Sequence, residues 1–147
     1  MRRAVWPVAA ALLAGGCVAP APTTADYESK AAMAADAAVS EARTAVLAAD
    51  AYVHGRLAAA YLEPVLVDAE EALGSVRATF DSVQPPATAG ADALRETLDP
   101  LLEDAGSAVT DLRIAARRDA RDDLADTAAE LSDVADDLEA FGTEHAT

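Results

Sequence analysis

Cysteine, tryptophan and lysine occur once each in 147 residues, and histidine twice. A lone thiol excludes an intramolecular disulfide. The six aromatic residues, Trp6, Tyr27, Tyr52, Tyr61, Phe80 and Phe141, and the seven glycines are too few for the faces and turns of a β-sandwich or barrel. No Gly-rich phosphate loop, Gly-x-Ser-x-Gly, His-Glu-x-x-His or Glu-x-x-His is present, so nucleotide binding, α/β-hydrolase chemistry and a di-iron bundle have no sequence basis. Large apolar side chains are scarce as well. The hydrophobic fraction of 52% includes 40 alanines, and a methyl group buries little area at about 25 cal/mol per Å².

What the chain does contain is helix-forming Ala, Leu, Glu and Arg in amphipathic spacing. The expected fold class is all-α, an antiparallel up-down four-helix bundle with an Ala-rich core, with helices at about 26–54, 64–83, 91–118 and 120–141. Ala32, Ala35, Val39, Ala42, Val46, Ala49 and Val53 mark the first stripe. Leu66, Ala69, Leu73, Val76, Phe80 and Val83 mark the second, opened by Pro64 and closed by Gln84-Pro85-Pro86. The third runs Leu94, Leu98, Leu101, Ala105, Ala108, Leu112 and Ala115, with a kink expected at Pro100. Leu124, Thr127, Leu131, Val134, Leu138 and Phe141 form the fourth, begun by a capping-box-like Asp119-Ala120-Arg121-Asp122 and ended by Gly142, with 144–147 as a tail. Bridging Gly55 by one long helix would give three helices instead, and sharing stripes with a second copy would give a dimer.

The N-terminus carries an address. Arg2 and Arg3 precede an apolar run from Ala4 to Ala14, which is too short to span a bilayer and has the shape of a signal peptide. The run Leu13-Ala14-Gly15-Gly16-Cys17 resembles the lipobox of bacterial lipoprotein precursors, although Ala14 stands where that family prefers leucine. The resemblance implies cleavage before Cys17 and a lipid on its thiol. It also implies a signal peptide at 1–16 and a location on the outer face of the cell membrane, while the residues that follow read as a tether at 17–25, with prolines at 20 and 22, and a bundle at 26–143. The Ala-rich, Lys-poor body resembles uncharacterised helical lipoproteins of high-GC bacteria. The alternative is a secreted soluble protein cut after Ala25. After cleavage at Cys17 nine basic residues face 26 acidic ones, so a net charge of about −17 disfavours nucleic acid and anionic lipid surfaces.

Few residues suggest chemistry. Glu70 and Glu71 are adjacent and diverge by about 100° on a helix, so they cannot share a proton as a catalytic dyad does. Arg113, Arg117, Arg118 and Arg121 could dock a phosphate, a lipid headgroup or an acidic polymer, or could simply pair with Asp111, Asp119, Asp122 and Asp123 at a helix end. The acidic face of helix 4, from Asp122 to Glu139, reads as a solvating surface. His54 is expected off the stripe and His145 in a fraying tail. The expectation is therefore no catalytic, cofactor or metal residue, with Cys17 as the lipid-attachment site. The body is expected to serve a binding, scaffolding or structural role as monomer or weak homodimer. An envelope protein is the expected partner, and a small apolar ligand within the bundle is the alternative.

Overall fold

Thr23 is extended, and its Oγ1 accepts a hydrogen bond from the Asp26 N–H at 3.1 Å, which satisfies one of the free donors that open a helix. On this cap, α1 runs from Thr24 to Val53 in a computed structural model that describes residues 21–146. It stops at His54 because Gly55 takes a left-handed φ of +71°, the backbone that favours glycine. The Gly55 N–H then donates to Tyr52 O at 2.9 Å and the Arg56 N–H to Ala51 O at 2.7 Å, a Schellman closure. Gly55 thereby separates two helices, which decides the chain for four helices over three.

The second helix, α2, covers Ala59–Asp81, and α3 covers Ala89–Arg117 behind a Thr88 cap whose Oγ1 accepts from the Ala91 N–H at 3.3 Å. α3 ends as α1 does: the Asp119 N–H donates to Ala116 O and the Ala120 N–H to Ala115 O, both at 3.1 Å. Here Asp119, at φ +52°, holds the left-handed place that glycine holds after α1. The last helix, α4, spans Arg121–Glu144.

The helices form one bundle in which α1 touches all three others, while no contact among the described residues joins α2 to α4. The face of α1 explains this asymmetry. Its buried residues are eight alanines between Tyr27 and Tyr52, small enough for α1 to settle across the diagonal against α3. Tyr27 packs its ring 5.4 Å from Phe80 of α2. The leucines of α2, α3 and α4 supply most of the large buried side chains.

Several boundaries and stripes differ from the sequence reading. α2 begins at Ala59, with Pro64 inside it rather than at its first turn; the carbonyl that Pro64 cannot pair belongs to exposed Ala60, where water can serve it. α3 continues through Pro100 as one element. The buried stripe of α1 passes through Ala38, Ala45 and Tyr52 while Val39, Val46 and Val53 are half-buried at its flank. Likewise Ala128 and Ala135 are buried in α4 where Thr127 and Val134 were expected. Asp119 does not build a capping box: Ala120 is the N-cap and makes no side-chain cap bond. α4 is not ended by Gly142 but continues to Glu144, and Gly142 is buried where a Cβ would lie 2.7 Å from Asp36 Oδ1 of α1. Finally, Ala21 is 4% exposed and Thr23 caps α1, so residues 21–25 belong to the folded body and not to a spacer.

Candidate functional site

One end of the bundle gathers the start of the described chain. The Ala21 N–H donates to Gln84 O at 3.4 Å in the α2–α3 connection, and the hydroxyls of Thr24 and Thr88 meet at 3.0 Å. His145 is not in a frayed tail: it caps α4, its Nδ1 lies 2.9 Å from Glu28 Oε1 on α1, and its ring packs 4.5 Å from Phe141. The expected lipid-attachment residue Cys17 lies outside the described residues, four positions before Ala21. Fully extended, four residues span at most about 14 Å.

Beside this end lies a largely apolar surface groove of about 320 Å³ between α1 and α2, lined by Met33, Ala34, Ala37, Val76, Phe80 and Val83 with Lys30, Ser75 and Thr79 among them. Arg95 reaches over the other side of Phe80 at 6.0 Å and bridges Asp81 and Asp99 at 3.9 and 3.6 Å. Burial raises the pKa of Asp99 above the ordinary carboxylate value, with Arg95 opposing the rise and Asp81 adding to it.

The arginines sit at the opposite end, a helix length of about 45 Å away. Arg113 pairs with Glu70 of α2 at 2.7 Å, and Arg117 pairs with Glu63 at 2.9 Å. Arg121 donates to the last carbonyls of α1, Tyr52 O and Val53 O, each at 3.2 Å, and covers the Tyr52 ring at 4.6 Å. α1 has no basic residue in its own last turn, so this guanidinium supplies the cation its C-terminus favours. The Tyr52 hydroxyl donates to Asp119 Oδ1 at 2.5 Å, and this bond raises the tyrosine pKa. Three of the four clustered arginines are thus bound within the fold; Arg118 makes no ion pair among the described residues.

The remaining candidates fall apart in space. Glu70 is held by Arg113 and by the Thr110 hydroxyl at 3.0 Å, whereas Glu71 is exposed. Asp136 and Glu139 on the acidic face of α4 hold Arg43 of α1, whose pKa they raise. Among the described residues no three His, Asp or Glu side chains converge as metal ligands would. His54 caps α1, its ring nitrogen 2.8 Å from Asp50 O.

Sequence reasoning missed the pairing of Tyr52 with Asp119. A signal existed: Asp follows Arg118 where a helix-ending glycine would be expected, and Asp is among the residues that tolerate a left-handed backbone. Comparison of the chain with protein-family models, with curated proteins and with solved structures gave no match.

Proposed function

We propose that the protein is an envelope lipoprotein held at the outer face of the cell membrane by lipid on Cys17, and that its bundle binds or scaffolds an envelope partner rather than catalysing a reaction. The observation that carries the reading is that residues 21–25 take part in the fold: Ala21 is buried and Thr23 caps α1. Cleavage before Cys17 keeps them. The alternative cut after Ala25 would strip the Thr23 cap, the Ala21–Gln84 bond and the Thr24–Thr88 contact. Loss of a Thr cap alone costs about 1 kcal/mol.

In this reading the helices run up-down-up-down. The start of α1 meets the end of α4 through Glu28 and His145, and its end meets the start of α4 through Tyr52 and Arg121. The start of α3 lies beside that of α1 through Thr88 and Thr24. The anchor is then next to the ends of α2 and α4, and the arginine-bound end points away from the membrane. A second reading, capture of a small apolar ligand, finds support in the groove at Met33 and Phe80, on the bundle's surface and not inside it.

Expression with labelled palmitate tests the anchor. The parent chain is expected to incorporate label and to start at Cys17 by mass, and Cys17→Ser to lose both. Label retained by Cys17→Ser, or a mature chain starting at Asp26, would refute the proposal.

A further inference from the structure

The groove between Met33 and Phe80 has an apolar floor and a single cation. Lys30, Ser75 and Thr79 are the polar residues in its lining, and no acid lines it among the described residues. Acidic residues outnumber basic ones by 26 to 11 in this chain, so the groove runs against the charge of the rest of the surface. The charged neighbours leave Lys30 available. Asp26, one turn earlier on α1, accepts a hydrogen bond from the Thr23 hydroxyl at 2.6 Å. Arg77 and Asp81 of α2 turn to α3, where they meet Glu103 and Arg95. Lys30 itself forms no ion pair among the described residues. The two hydroxyls are available as well. Thr44, Thr97 and Thr110 close theirs on the carbonyl one turn back in their own helices, whereas Ser75 and Thr79 do not.

We infer that this groove holds a free fatty acid, its tail on Phe80, Val76 and Met33 and its carboxylate at the Lys30 ammonium and a hydroxyl of α2. The inference rests on the second reading above, capture of a small apolar ligand, and gives that ligand a charge and a chain length. The carboxylate is the group that completes the lining: it accepts from Lys30 and from Ser75 or Thr79, all of them donors. A neutral alcohol fills the same floor and leaves the ammonium without a counter-ion. The polar head has one place to go. Glu41 and Glu71 lie one turn outside the lined stretch, beyond Ala37 and Ser75, and an anionic head there would meet them.

The size of the groove sets the chain length. By helix rise the lining runs about 10 Å along α1 from Lys30 to Ala37 and about 12 Å along α2 from Ser75 to Val83. At C–C bonds of about 1.5 Å, that length takes a chain of roughly eight to ten carbons. With a volume of about 320 Å³ the groove is at the small end of ligand sites. It has room for one tail, and a two-chain lipid would leave its second tail in water.

Photolabelling of the full chain in cultures of expressing cells tests this, with the protein recovered from cells and medium alike. A decanoic acid carrying a diazirine on its chain is expected to mark the peptides that contain Met33, Val76 and Phe80. Lys30→Gln should lower that labelling about threefold, the size of a partly exposed ion pair, and leave labelling by the matching decanol probe unchanged. Met33→Glu, at a side chain 68% exposed, keeps the helical spectrum and sets an acid in the groove, so it should abolish labelling by the acid. Acid and alcohol probes that mark the groove equally, whatever stands at position 30, would overturn the inference and leave the apolar-ligand reading intact. Neither probe marking the groove, or marks spread evenly over the chain, would defeat both. Labelling that appears only in Cys17→Ser would mean that the chain's own lipid fills the groove, and would overturn the free acid.

Discussion

Replacing Tyr27 by phenylalanine should stabilise this protein. The Tyr27 side chain is fully buried against Phe80, and its hydroxyl has no hydrogen-bond partner among the described residues. Burial raises its pKa, so the group is neutral at any ordinary pH and gains nothing by ionising. A buried hydroxyl without a partner costs about 1–3 kcal/mol, and deleting one oxygen leaves only a small gap to set against that cost. The expected gain is about 1 kcal/mol, or about 3–5 °C in Tm for a domain of this length. Thermal and urea unfolding followed by far-UV circular dichroism would measure it. Tyr52→Phe provides the opposite sign, since that hydroxyl donates to Asp119 at 2.5 Å and its loss should lower Tm. Tyr61→Phe, on an exposed ring, should change little. A Tyr27→Phe variant less stable than the parent would refute the reasoning and mean that the hydroxyl is served by an ordered water.

Other outcomes follow from the same contacts. Ala42→Leu inserts bulk into the alanine face of α1, where the site is fully buried, and should cost about 1–3 kcal/mol by denaturant unfolding, against no loss for Ala37→Leu on the outside. At Gly142 the Cβ of alanine meets only the tip of the Asp36 carboxylate, which can swing aside, so Gly142→Ala should gain up to about 1 kcal/mol from helix propensity. Gly142→Leu should lose about 1–3 kcal/mol by the same assay. Because burial raises the Asp99 pKa, folding favours its protonated form, and its contribution to stability falls as pH rises from the ordinary carboxylate value through the raised one. Asp99→Asn should therefore flatten the decline in Tm across that interval and leave stability at neutral pH undiminished; a lower Tm at neutral pH would contradict the burial argument.

The existence of four helices and the loop at Gln84-Pro85-Pro86 were legible because they rest on local rules: heptad spacing, and proline's effect on the residue before it. Which face of α1 turns inward was not. Val39 and Val46 outrank Ala38 and Ala45 in hydrophobicity, so a search for apolar stripes selects them, yet α1 meets all three other helices and buries the smaller residues. The same preference chose Val134 over Ala135 in α4, and the strict heptad register it set placed Thr127 where Ala128 is buried. Pro64 read as a helix start because the exposure that makes a missing N–H tolerable inside a helix is a tertiary fact. Gly142 read as a terminator for want of the neighbouring Asp36. At the arginine cluster, the sequence pointed to acids nearby in the chain, whereas Arg113 and Arg117 reach across to Glu70 and Glu63 on α2.

In a chain cleaved before Cys17, as proposed, Trp6 is absent and the three remaining tyrosines occupy three unlike surroundings, so the molecule would be its own optical gauge. Tyr27 and Tyr52 lie 25 residues apart on one helix, about 37 Å from end to end, the first in a dry apolar contact and the second touching a carboxylate and a guanidinium. Tyr61 stands in water. Opening at the Asp119 end releases the Tyr52 hydroxyl from its carboxylate, while opening at the Gln84 end brings the buried Tyr27 ring into water. Loss of order at either end of the bundle is thus reported by a different tyrosine, without a label attached to the chain.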